Sequence, residues 1–110
     1  MVNTLNRVFG AVTIFLCFGL AQVELQVLDN GDITYSSTSA ISGVEISHND
    51  CATNAVNNTG GLLPNFSSSA TKVILFDMDG GTLPVGSGNL ISGNSCSAAD
   101  LYGFVFAGPV

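Results

Sequence analysis

The chain has 110 residues, with 2 basic side chains against 8 acidic ones and a net charge of −6. So acidic a surface repels phosphate backbones and anionic headgroups, which argues against nucleic acids and membrane surfaces as partners. A hydrophobic share of 46% argues against disorder. Helix-forming Lys, Glu, Arg and Gln are scarce beside β-branched and turn-forming residues, which points to an all-β domain.

The first seven residues hold one positive side chain, Arg7, and Val8 to Leu20 (VFGAVTIFLCFGL) is an apolar run. Gly19-Leu20-Ala21 then places small residues at the −3 and −1 positions of a cleavage site before Gln22. This is the pattern of a secretory signal peptide, expected as a helix over residues 1–21 and removed on export. A transmembrane anchor fits less well, because the run is shorter than about 20 apolar residues and no basic cluster follows. Cys17 is part of the apolar run and carries none of the small residues that precede a lipid-modified cysteine. The mature domain is then 22–110, secreted or held at the cell surface, and not an integral membrane protein once the leader is gone.

Val23, Leu25 and Val27 alternate with Glu24, Gln26 and Leu28, the period of a strand. Asp29-Asn30-Gly31-Asp32 turns the chain into a second strand at Ile33-Thr34-Tyr35, which makes a hairpin. Ile41 to Ser47 (ISGVEIS) forms another, with Val44 and Ile46 on one face and Glu45 on the other. Cys51 to Gly61 reads as loop. Asn57-Asn58-Thr59 and Asn65-Phe66-Ser67 are sequons, open to glycans only in a eukaryotic secretory route. Leu62, Leu63 and Phe66 are expected to tuck under the domain. Lys72 to Asp79 is the strongest strand, with Ile74, Phe76 and Met78 on one face and Val73, Leu75, Asp77 and Asp79 on the other. Gly86-Ser87-Gly88 reads as loop, Asn89-Leu90-Ile91 as the start of a strand. Leu101 to Phe106 closes the chain, with Leu101, Gly103 and Val105 opposite Tyr102, Phe104 and Phe106. Such a series of short strands and turns is that of an antiparallel two-sheet sandwich.

VILFDMDGGTLP, from Val73 to Pro84, looks like the start of a haloacid dehalogenase-type phosphatase. That chemistry also needs a later Ser or Thr, a Lys and a further acidic pair on a parallel α/β sheet. After Asp79 there is no Lys and one carboxylate, Asp100, and no helical segment supplies the crossovers of a parallel sheet. The second glycine also displaces the threonine by one position. Asp77 and Asp79 match positions 1 and 3 of an EF-hand loop, but Gly81 and Gly88 then fall where oxygen ligands are required. A weak, irregular Ca²⁺ site at Asp77 and Asp79 remains as the sole metal candidate, and no other cofactor is expected. His48 is the single histidine and no C-x-x-C occurs, so it is expected as a surface residue at a strand end. Cys51 and Cys96 are either a disulfide, which export permits, or two buried thiols. With one His and one Lys after the leader, no acid/base constellation is available, and no enzyme is expected.

The order of segments resembles the cohesin domains. A Tyr-containing strand (Tyr35) and a polar break lead to Ile41-Ser42-Gly43-Val44-Glu45-Ile46. A strand ending in Phe76 and a glycine turn at Gly80 lead to Leu83-Pro84-Val85-Gly86-Ser87-Gly88-Asn89-Leu90, and Leu101 to Phe106 closes. The likeness spans about residues 23–107, although cohesins are usually longer. It implies a nine-stranded, jelly-roll-like sandwich that binds a dockerin-type protein partner through one exposed sheet face, as related sandwiches bind polysaccharide. The function expected is therefore non-catalytic adhesion, to a protein or to extracellular polysaccharide in the setting of polysaccharide breakdown. The alternative is a structural cell-surface or matrix protein with no small ligand. Strong glycan binding is disfavoured, because Trp is absent and Tyr35 and Tyr102 are the only tyrosines. Val73, Leu75, Asp77 and Asp79 are the candidate binding face, where apolar and acidic groups share one side of a strand.

Overall fold

The computed structural model describes residues 11–18 and 21–108. The strands are β1 (Ala11–Phe18), β2 (Ala21–Leu28), β3 (Ile33–Ser37), β4 (Gly43–His48), β5 (Val56–Asn57), β6 (Asn65–Ser68), β7 (Lys72–Phe76), β8 (Gly86–Ser92) and β9 (Leu101–Ala107). A 3₁₀ turn at Ala98–Asp100 precedes β9. They build two antiparallel sheets, ordered β1-β2-β3-β8-β5 and β6-β7-β4-β9. The expected all-β sandwich is what forms.

Its pairings are nested. β3 lies beside β8 while β4 lies beside β7, all antiparallel. The stretch β3–β4 thus runs back along β7–β8 as one long double ribbon, and the ribbon rolls so that its two halves fall in different sheets. This is the jelly-roll arrangement.

Alternation decides the core. Val23, Leu25 and Val27 from β2 and Ile33 and Tyr35 from β3 point inward. Val44 and Ile46 from β4, Val73 and Leu75 from β7, and Leu90 and Ile91 from β8 join them. Each large apolar side chain buried this way contributes about 1.5–3 kcal/mol relative to exposure. Ile41 and Leu83, outside the strands, exchange two backbone hydrogen bonds of 3.0 and 2.8 Å and are themselves fully buried. The β2–β3 turn forms as expected, with Gly31 at φ +90° and its amide donating to the Leu28 carbonyl.

Several expectations change. Within the leader expected as a helix, Ala11–Phe18 is a strand paired with β2 from Ala11↔Leu28 to Phe18↔Ala21. Val12, Thr13 and Ile14 are β-branched, and the free edge of β2 offers them a ladder. The rest of the leader before Ala21 lies outside the described residues. Gly86-Ser87-Gly88, expected as loop, opens β8 opposite Ser37, Ser36 and Tyr35. Leu63 and Phe66 pack on the core, whereas Leu62 is exposed. His48 is not a surface residue. It takes the next inward slot after Val44 and Ile46, is 1% exposed, and accepts the Ala52 amide at Nδ1 (3.2 Å).

The last strand also departs from simple alternation. A bulge opposite Ile46 shifts the register between Ser47↔Tyr102 and Glu45↔Val105. Gly103 occupies it at φ +60°, and a Cβ there would lie 2.8 Å from the Ser47 hydroxyl. The extra residue resets the phase. Leu101, Phe104 and Phe106 therefore pack inward, and Tyr102 and Val105 face out.

Candidate functional site

Val73 and Leu75, half of the expected binding face, are fully buried in the core. Their partners in sequence, Ile74 and Phe76, face solvent instead. The reason is the phase of β7: Lys72 at its start must keep its ammonium in water, and Ile74 and Phe76 share its side of the strand.

Asp77 and Asp79 follow β7 rather than belonging to its face. Asp77 closes its own turn. Its Oδ1 accepts the Asp79 amide (2.9 Å), its Oδ2 accepts the Gly81 amide (3.0 Å), and its carbonyl accepts the Gly80 amide (3.1 Å). Gly80 sits at φ +84°, and a Cβ on Gly81 would stand 2.2 Å from Asp77 Oδ2. The second glycine, out of place for a phosphatase, is what this turn requires. Both Asp77 oxygens already receive amide protons, and among the described residues no group of three or more His, Cys, Asp or Glu converges. The donor set does not fit a calcium cage, which takes six to eight oxygen ligands.

The outer face of the four-stranded sheet is built in cross-strand rows. One row is Val105, Glu45, Ile74 and Ser67, and a second is Tyr102, Ser47 and Lys72. A third joins Ala107, Gly43, Phe76 and Asn65. Tyr102 and Val105 are about half exposed (51% and 54%), Phe76 is 39% exposed, and Met78 just beyond it is 78% exposed. An ion pair between Lys72 and Glu45 (3.5 Å) lies among them. Being partly open to solvent, it adds at most about 1 kcal/mol of stability. The face therefore combines apolar and aromatic side chains with one fixed dipole. No family model, curated protein or solved structure matches the chain.

The outer face of the five-stranded sheet is chemically different. Glu24 and Gln26 of β2, Thr34 and Ser36 of β3, and Ser87 and Asn89 of β8 line a shallow depression of about 390 Å³. Tyr35 lies beneath it. Its hydroxyl donates to the Pro84 carbonyl (3.1 Å), and burial raises its pKa above the ordinary 10.0.

The loops at one end are tied by a disulfide between Cys51 and Cys96, with S–S 2.01 Å. This resolves the choice between a bridge and two thiols. The Ser95 amide donates to the Cys51 carbonyl beside it (2.9 Å). Of the two sequons, Asn57 is held in place: its Nδ2 donates to the Leu63 carbonyl (2.7 Å) and its Oδ1 accepts from the Thr59 amide and hydroxyl. Asn65 accepts the Met78 amide, and Ser67 is exposed. Among the described residues no helix is long and apolar enough to cross a membrane.

Proposed function

We propose that the chain is an exported, non-catalytic binding module of the cohesin-like kind that engages a protein partner through the outer face of the β6-β7-β4-β9 sheet. The observation behind this reading is the cluster of Phe76, Ile74, Val105 and Tyr102 around the Glu45–Lys72 pair. Interface centres are enriched in aromatic and aliphatic anchors, with charged groups fixing register. The nested strand order supports the cohesin likeness, and the acidic surface favours a partner with basic groups at its rim.

The test is capture of dockerin-bearing proteins on the immobilised chain, repeated with Phe76→Ala and Val105→Ala. The reading expects capture by the native chain, reduced by at least about tenfold in affinity by Phe76→Ala, the loss of an anchor worth more than 1 kcal/mol. No capture of any dockerin, or capture insensitive to both substitutions, refutes it.

A further inference from the structure

We propose that the depression on the outer side of the five-stranded sheet is a binding site for a neutral saccharide. Its lining is a two-row array set by register: Glu24 opposite Ser36 and Gln26 opposite Thr34, then Ser36 opposite Ser87 and Thr34 opposite Asn89. With strands about 4.8 Å apart and same-face residues about 6.7 Å apart along a strand, the six side chains span about 10 by 7 Å. That is the footprint of a pyranose ring and part of its neighbour. Among the described residues, none of these six side chains has a hydrogen-bond partner within the protein.

The chemistry selects the ligand class. Two carboxamides and three hydroxyls both donate and accept, and the Glu24 carboxylate accepts from paired hydroxyls. A polyol matches this mixture. A phosphate or sulfate would meet Glu24 with no Lys or Arg in the lining to offset it. A bare metal ion would find a single carboxylate.

The concavity has a cause in the sequence. Gly86 and Gly88 place no side chain on the inner side of β8, opposite Ser37 and Tyr35. A Cβ on Gly88 would stand 3.0 Å from the Tyr35 ring. The opening half of β8 therefore settles against that ring, and the outer surface dips above it. The volume lies near the low end of the roughly 300–1,000 Å³ usual for small-ligand sites. No aromatic side chain of the array stacks on the ligand, so single-site affinity is weak and retention on a polymer depends on repeated contacts. Every lining residue follows Ala21 and lies on the sheet opposite Phe76, so the site is separate from the protein-binding face.

The test is ¹⁵N-resolved titration of the full chain with neutral gluco-, xylo- and manno-oligosaccharides, and with a sulfated oligosaccharide for comparison. The expected result is saturable shifts confined to residues 24–26, 34–36 and 87–89, at about millimolar affinity. The double substitution Gln26→Ala and Asn89→Ala, both exposed, should weaken binding by at least about tenfold. Its spectrum elsewhere should be unchanged, and Phe76→Ala should have no effect. Absence of saturable shifts with every neutral oligosaccharide, shifts mapping to the other sheet, or equal preference for the sulfated ligand overturns the proposal.

Discussion

Removing the Cys51–Cys96 bridge, by reductant or as Cys51→Ala with Cys96→Ala, should cost about 4 kcal/mol of stability. The two cysteines are 45 residues apart in sequence. In the chain-entropy model a closed loop of that length restricts the denatured chain by that amount at 25 °C. The enclosed segment holds all of β5, β6, β7 and β8, so the restriction falls on strands of both sheets. Against a domain stability of about 5–15 kcal/mol the loss is a large fraction. Guanidinium unfolding of the oxidised chain, the reduced chain and the double variant measures it. The midpoint should fall, and the slope should rise as the unlinked denatured state exposes more surface. In heating, the shift should be about 15–30 °C. A loss below about 1 kcal/mol in both unlinked forms would refute the argument that the bridge restricts the unfolded chain.

Leu75→Ala should destabilise by about 2–5 kcal/mol, while Phe76→Ala should stay within about 1 kcal/mol; paired urea curves compare them, and reversed sizes would invert the assigned faces of β7. Gly31→Ala should cost more than about 1 kcal/mol, because φ is +90° and its Cβ would stand 2.4 Å from the Asn94 carbonyl oxygen; a variant of native stability would contradict that turn geometry. Asp100 caps the 3₁₀ turn by accepting the Ser97 amide and hydroxyl, and these bonds, the backbone one first, lower its pKa below the ordinary 3.8. Its contribution is therefore complete above the ordinary value and is lost as pH falls through the lower folded one. Asp100→Asn should be less stable than the native chain at neutral pH, and the gap should close in strong acid. A gap independent of pH would exclude this cap.

Much of the fold was legible because alternation is a local property. Val23, Leu25 and Val27, or Val44 and Ile46, announce their inward side without knowledge of their neighbours. The binding face was less legible, although a signal was present. Lys72 shares its side of β7 with Ile74 and Phe76, so the charge marks the wet side. The acidic pair that follows, counted as part of the strand, instead places Val73 and Leu75 on the outward side. Asp77 and Asp79 are poor guides to the strand's phase because Asp77 serves a turn after β7 has ended. Gly103 hid a second phase. A single unpaired residue reverses which of Phe104, Val105 and Phe106 are packed, and only the partner strand reveals it. The leader-like run reads as a signal helix because its apolar length is all the sequence shows, and over Ala11–Phe18 the free edge of β2 supplies a ladder instead. The polar depression was invisible in sequence, since its six residues come from three strands brought together by register.

The nested ribbon also dictates an order of assembly. The β2–β3 and β6–β7 hairpins need only short closures and can form within microseconds. The β3–β8 and β4–β7 ladders must wait for the ends of long intervening segments to meet, and such non-local topologies fold in milliseconds to seconds. During that interval the hairpins expose unpaired rims, which makes the nascent domain most vulnerable to self-association just before its two layers close. An oxidant that joins residues 51 and 96 early would shorten that search by holding the chain just after β4 against the chain just after β8.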